Sequence, residues 1–441
     1  KGGVISGEPG DGGDALEALV HDGNEADYYH SRGYAKRKQG LFLEAIEDYT
    51  VAIRKDPSHF KAYFNRGFSY DKIGEFDRAI DDYTHAVRLD GSSAYAYYNR
   101  GISYDRKGEF LKAIENFTAA ANLEPANADF FHNRGFSNRK LGRYRAAAED
   151  YTRALEINPR HFKAYYNRAF ARDKLEEYEE AVFDYTQAIR LDPHNANAHH
   201  NRGSALEKLN RNEEALADFA RAIELDPTNA SSYNSRGLVH DKLGALDRAV
   251  EDFTRAIEIE PGNAVYSHNR GYCYRNMGDY TRAVADYSAA IEVNPWSAAA
   301  FNNRGFARRK LGQYQLAVAD YTRSLELLPD NVKTLNNRAY SCAKLGEYDK
   351  AIDDYTRVIQ LDARNAHAHH NRGISYDKLG QFKEAVEDFT RAIDLDPTNA
   401  NLLFNRGSAL DSLGHFDSAI ADYTRALELD TMAAQQSKER M

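Results

Sequence analysis

Apolar residues recur along this chain at a helical interval nested inside a longer beat. In stretches of 34 residues, positions 17, 20, 21, 24, 27 and 28 are apolar with two exceptions, Asn212 and Ser324, a spacing that places them on one stripe of an α-helix. A second helical segment precedes it over roughly positions 2–14, about 20 Å long at 1.5 Å per residue. The beat is set by arginine, at Arg32, Arg66, Arg100, Arg134, Arg168, Arg202, Arg236, Arg270, Arg304, Arg338, Arg372 and Arg406, always 34 apart with no insertion. Gly follows ten of these; Ala169 and Ala339 follow the other two. With that small residue as position 8, twelve repeats run from Ala26 to about residue 431. Gly at position 15 (Gly40, Gly74 and Gly414 among ten) ends the first helix, and Pro at position 32 (Pro57, Pro125 and Pro397 among nine) ends the second. Ala fills position 20 and Tyr or Phe position 24 in all twelve, so close axes with a ring wedged beside them are expected.

This pattern resembles the tetratricopeptide repeat family, whose signature is an aromatic at position 4, Gly or Ala at 8, Ala at 20, an aromatic at 24, Ala at 27 and Pro at 32. The second repeat reads Tyr63, Gly67, Ala79, Tyr83 and Ala86, with Gly91 in place of the proline. The resemblance covers residues 26–431. It implies an all-α, right-handed superhelical solenoid of antiparallel helix pairs, more than one superhelical turn long. Its first helices would line a concave groove, and most such arrays are interaction scaffolds without catalysis.

Composition narrows the function. The net charge of −9 argues against a general affinity for nucleic acid or anionic membranes, and no apolar run approaches the roughly 18–20 residues that span a bilayer. Cys273 and Cys342 alone make no disulfide framework or zinc spacing, so an intracellular, reducing, cytoplasmic setting is expected.

Three features depart from the family pattern. Position 7, usually Leu, is always Arg, and position 23 is Asp in eleven repeats and Asn116 in the twelfth. Charges at such semi-buried sites need partners, so a structural ladder of Arg–Asp bridges is expected, Arg202 with Asp218 and Arg270 with Asp286 among them, rather than a stripe of ligand-binding arginines. Position 6 is Asn in ten repeats: Asn65, Asn99, Asn133, Asn167, Asn201, Asn269, Asn303, Asn337, Asn371 and Asn405. Positions 2, 5, 6, 9 and 13 share the face opposite the packing stripe. These amides therefore either line the groove, where an amide suits the main chain of an extended peptide, or bond to the backbone of their own or the adjacent repeat. The peptide-binding arms of O-linked N-acetylglucosamine transferases use a similar Asn ladder. Position 9 is mainly aromatic or aliphatic, with Phe68, Phe136, Phe170, Tyr272 and Phe306 as groove candidates that either stack on a ligand or pack on neighbouring repeats.

Other signals carry less. The histidines at 199–200 and 367–370 lack recurrent Cys or acidic partners, so no metal and no cofactor are expected. The family's clamp for acidic C-termini needs Lys at position 5 and Asn at position 9 of one repeat, which this chain lacks. Nucleophile elbows and phosphate loops are absent from the sequence, which points away from an enzyme. Residues 1–13 hold six Gly and read as a flexible tail; residues 14–24 read as a short N-terminal cap. Residues 432–441 read as a C-terminal tail or the start of a truncated capping helix, so either the native protein continues or the last apolar face docks on a partner or a second copy of the chain. The expected partners are other proteins or peptides, with no nucleic acid and no membrane insertion. Two further readings stand beside the scaffold: the substrate-recruiting arm of a larger enzyme such as a glycosyltransferase, and a structural element of a ciliary axoneme or other cytoskeletal assembly.

Overall fold

The computed structural model describes residues 25–439, with side chains through residue 432. The expected glycine-rich tail and N-terminal cap lie outside the described residues, except for Glu25, which opens the first helix, Glu25–Lys38. Among the described residues there are twenty-four helices and no strand. They alternate as first and second helices of successive repeats, for example Ala196–Lys208 and Asn212–Leu225.

Local chemistry sets the boundaries. First helices begin at position 1 because position 34 of the preceding repeat caps them. The side chain of Asn195 accepts from the Ala198 N–H, and Ser93 from that of Ala96. Two residues after each first helix the chain turns through a left-handed residue. Ten of these are glycines, such as Gly244 at φ 76°, but Glu176 (φ 62°) and Asn210 (φ 58°) take the same conformation. Several second helices end in extended backbone before the proline, as at Asn158 ahead of Pro159. The last helix has Thr431 where nine repeats have proline, and it runs unbroken over Phe416–Glu439. On it and at its start, Phe416, Ile420 and Leu427 are exposed by 61%, 62% and 69%.

The core repeats with the sequence. Positions 20, 24 and 27 of the second helix are buried in the first eleven repeats, as in Ala147, Tyr151 and Ala154. The ring at position 24 lies against the glycine at position 8. A Cβ on Gly101 would stand 2.7 Å from Phe117 Cε1, and one on Gly305 would stand 2.8 Å from Tyr321 Cε1. Position 8 is therefore small so that this ring can be buried, which stabilises each repeat by about 1.5–3 kcal/mol. Cys273 and Cys342 are also buried, and burial pushes their thiols up to about 12 and about 11, so neither supplies a thiolate near neutral pH.

The chain divides into two compact units, Lys1–Asp226 and Pro227–Met441. Within each, the first helix of a repeat touches the first helix of the next, whereas second helices touch first helices only. Each unit thus closes up on the side of its first helices, which form the inner face.

Candidate peptide-binding face

The arginine at position 7 is tied down on both sides. Arg202 donates from Nε to Asp218 Oδ2 at 2.6 Å and from Nη2 to Oδ1 at 2.7 Å, and Nη1 donates to Thr186 Oγ1 of the preceding repeat at 3.1 Å. Arg270 does the same with Asp286 (2.8 and 2.7 Å) and Thr254 (3.0 Å). The fork–carboxylate pair recurs in eleven repeats; in the third, Arg100 Nε donates to Asn116 Oδ1 at 2.7 Å. The aspartates are buried, Asp184 fully. Pairing with Asp252, Asp286, Asp354 and Asp388 holds the guanidinium pKa of Arg236, Arg270, Arg338 and Arg372 above the usual value. The hydroxyl at position 25, Thr in ten repeats and Ser288 in another, makes this a clamp between repeats as well as within one. Nothing in the sequence reading had singled that residue out, although its recurrence was visible.

The asparagines of position 6 form a second series, again between repeats. Their partner is the side chain at position 5 of the preceding repeat. Nδ2 of Asn65, Asn167, Asn303 and Asn405 meets Nε2 of His30, His132, His268 and His370 at 2.9, 3.2, 3.4 and 2.8 Å. Asn133 and Asn201 donate to the hydroxyls of Tyr98 and Tyr166 at 2.8 and 2.7 Å, and Asn269 donates to Asn234 Oδ1 at 2.9 Å. Burial lowers the pKa of all four histidines, to about 4 for His30 and His132, so the rings are neutral and can accept. Three asparagines differ. Asn99 follows Phe64, which has no acceptor, and turns to the Tyr95 carbonyl at 2.9 Å. Asn371 turns to the His367 carbonyl at 2.8 Å, and Asn337 Nδ2 is buried without a hydrogen bond.

Cations at positions 12 and 13 cover the rings of position 9. Arg37 lies over Tyr34 and Phe68 at 4.8 and 4.7 Å, and Arg139 lies over Phe136 and Phe170 at 4.9 and 5.0 Å. Arg275 lies over Tyr272 and Phe306 at 4.4 and 5.2 Å; Arg309 lies over Phe306 and Tyr340 at 5.0 and 5.1 Å. Lys72, Lys140, Lys174, Lys310 and Lys344 approach the same rings. In all four Arg-bearing repeats the ring at position 24 is Tyr, never Phe. The sequence reading weighed the rings but not these cations, although position 13 is Lys or Arg in ten repeats.

The histidines at positions 4 and 5 are built into the same framework. His199 Nδ1 lies 3.2 Å from Asp218 and His369 Nδ1 lies 3.1 Å from Asp388, both ladder carboxylates. Among the described residues no group of three or more His, Cys, Asp or Glu is placed to hold a metal ion, and no helix is long and apolar enough to cross a membrane.

A stack of helix pairs, clamped by recurrent side-chain links and presenting one repeated row of polar and aromatic groups, defines an all-α solenoid of the interaction-scaffold class. The tetratricopeptide repeat model matches residues 60–93, 128–161, 196–229, 230–263, 265–297, 298–331, 332–365, 366–399 and 400–430, more than half of the chain, and kindred repeat models match 94–127, 150–183 and 174–210. The chain belongs to the tetratricopeptide repeat family, whose arrays support protein–protein interaction and are generally not catalysts. None of the curated proteins matches it in sequence. Among solved structures it is similar to YrrB, described as a TPR protein with an unusual peptide-binding site (27% identity, 42% of this chain and 95% of that one, TM-score 0.39). It is also similar to a tetratricopeptide repeat protein from Parabacteroides merdae (21%, 56% and 98%, TM-score 0.42) and to a chain of the APC/C Cut9–Hcn1 hetero-tetramer (14%, 95% and 96%, TM-score 0.40).

Proposed function

We propose that this chain is a non-catalytic scaffold that holds extended peptide segments along the inner face of its first helices. The observation that carries this is the state of the position-6 amides. Asn133 commits Nδ2 both to Tyr98 and to the Asp129 carbonyl, so what it offers a ligand is the Oδ1 acceptor, held in a fixed direction. Asn65, Asn167, Asn201, Asn269 and Asn405 are likewise anchored through Nδ2. A row of oriented acceptors, recurring in six of the twelve repeats, suits the N–H groups of an extended main chain whatever its sequence. Since the links are pre-formed, binding orders few side chains of the scaffold, which lowers its entropic cost.

The test is a crosslinking pull-down with the wild type and with a triple variant, Asn167→Ala, Asn201→Ala and Asn269→Ala. Loss of captured partners in the variant, with its helical content unchanged, is the expected result. An unchanged set of partners would remove the inner face from consideration and move the search to the outer, second-helix side.

A further inference from the structure

Three consecutive first helices, Ala264–Asn276, Ala298–Lys310 and Val332–Lys344, contain no Asp or Glu, whereas each of the other nine carries at least one. In a chain of net charge −9 this is a local reversal of sign. The ladder arginines of these helices are neutralised by Asp286, Asp320 and Asp354, and Arg308 also donates to Asp320. Five other cations remain: Arg275, Arg309, Lys310, Lys333 and Lys344. Among the described residues none of the five has a carboxylate within ion-pair distance, and the loop carboxylates nearby in sequence are taken, Asp279 by Arg282 and Glu347 by Lys350.

Three of these cations, Arg275, Lys310 and Lys333, converge. An open cavity of about 380 Å³ is walled by Arg275, Lys310, Lys333, Asn302, Asn303 and Phe306, with no acidic residue on its lining. The larger cavity in the other unit differs, because Asp129 stands on its wall beside Lys163 and Arg160. Arg275 is further held by Nη1 donation to Asn303 Oδ1 at 3.2 Å. The sequence Tyr272, Arg275, Phe306, Arg309, Tyr340 forms one continuous run of rings and guanidiniums. A guanidinium stacked on a ring can still offer in-plane N–H groups to a carboxylate; Arg309 Nε is buried and Arg275 Nη1 is engaged, so the remaining N–H groups are the ones a ligand would meet.

We propose that the inner face of the repeats built on these three helices binds the acidic side chains of an extended peptide segment. The inference deepens the scaffold reading and rests on it for the peptide main chain. Two guanidiniums share the Phe306 ring at 5.2 and 5.0 Å from its centre, so they are at most about 10 Å apart, within reach of side chains three residues apart on one face of a polyproline II segment, which has three residues per turn and rises ~3.1 Å per residue. Acidic residues recurring about every third position therefore fit. Single-stranded nucleic acid fits less well: base stacking needs open ring faces, and here the rings are already occupied by the protein's own guanidiniums.

The experiment uses the full chain and fluorescence anisotropy with three labelled probes: a peptide of four Glu-Gly-Ser units, its Gln-Gly-Ser counterpart and a twelve-nucleotide oligouridylate. The glutamate peptide is expected to bind, to weaken steeply from about 50 mM to about 300 mM salt, and to outbind the glutamine peptide by about tenfold or more. Arg275→Gln with Arg309→Gln and Lys333→Gln should lose about tenfold, and Lys333→Gln alone, at an exposed site, should lose part of that without disturbing the fold. A control triple on exposed second-helix positions of the other unit, Lys55→Gln, Lys112→Gln and Arg145→Gln, should stay within about twofold. The inference is overturned by no binding of the glutamate peptide, by equal binding of the two peptides, by an equal loss in the control triple, or by tighter binding of the oligouridylate. If partner capture depends on the asparagines while the glutamate peptide fails to bind, the scaffold reading stands and only this inference falls. If the asparagine variants capture the same partners while the glutamate peptide behaves as expected, the acidic site stands and the inner-face scaffold reading falls.

Discussion

Arg202 grips Asp218, sixteen residues further along the chain, with both ends of its guanidinium fork, at 2.6 and 2.7 Å. The carboxylate is buried and also receives His199. Asp218→Ala would strand a semi-buried cation and should cost about 3–5 kcal/mol. Thr186→Val removes only the third bond of the same arginine and should cost about 0.5–1.5 kcal/mol. Hydrogen exchange over residues 196–225 should show the difference locally, since a repeat array opens piecewise. Equal protection in the two variants would mean that the pair does not hold the repeat.

The contact between position 8 and position 24 varies among repeats, and the variation predicts an order. A Cβ at Gly101 would fall 2.7 Å from Phe117, but one at Gly271 would fall 3.2 Å from Asp286 Cβ and Tyr287. Gly101→Ala should therefore destabilise by about 1–3 kcal/mol, and Gly271→Ala by clearly less. Repeats five and ten already hold Ala169 and Ala339 at this position. Thermal unfolding midpoints of the two variants, if equal, would show that the ring moves freely in both places.

Glu176 occupies a left-handed conformation that ten other repeats give to glycine. Glu176→Gly should stabilise by about 1 kcal/mol by removing the clash between Cβ and the following carbonyl. Asn210→Gly should gain less, because Asn tolerates that region. Chemical denaturation of the two variants checks the order.

His132 should make stability fall in acid. Burial lowers its pKa from 6.5 to about 4, with His161, Lys163 and Arg139 acting in the same direction and Asp129 opposing. The folded state therefore binds fewer protons than the unfolded chain between those values. Its contribution is complete above about pH 7 and is lost as pH falls from about 6.5 to about 4, on the order of 3 kcal/mol in all. His132→Gln should flatten the denaturation midpoint against pH over this window. An unaltered slope would place the acid sensitivity elsewhere.

How much was legible follows from the range of each interaction. The helix pairs, their stops and their small and aromatic positions rest on contacts within one repeat, and the 34-residue beat repeats them twelve times, so the pattern of the chain carries them. The last helix runs on past Thr431, whereas the repeat with Ala363 in place of proline still ends its helix at Leu361, so the missing proline permits the extension without by itself causing it. The candidate face was only partly legible. Its asparagines and rings stood out by recurrence, yet recurrence does not say what a side chain touches.

By itself, then, the sequence determined the architecture of the repeat and the identity of the residues on each face, because local propensity and periodicity act over a few turns of chain. Only the tertiary structure decided the partners that cross from one repeat to the next: Thr186 on Arg202, His132 on Asn167, and Phe306 on Arg275. Those partners lie 16 to 35 residues apart, and their meeting depends on how one helix pair stacks on its neighbour. That stacking turned the amides from free donors into oriented acceptors.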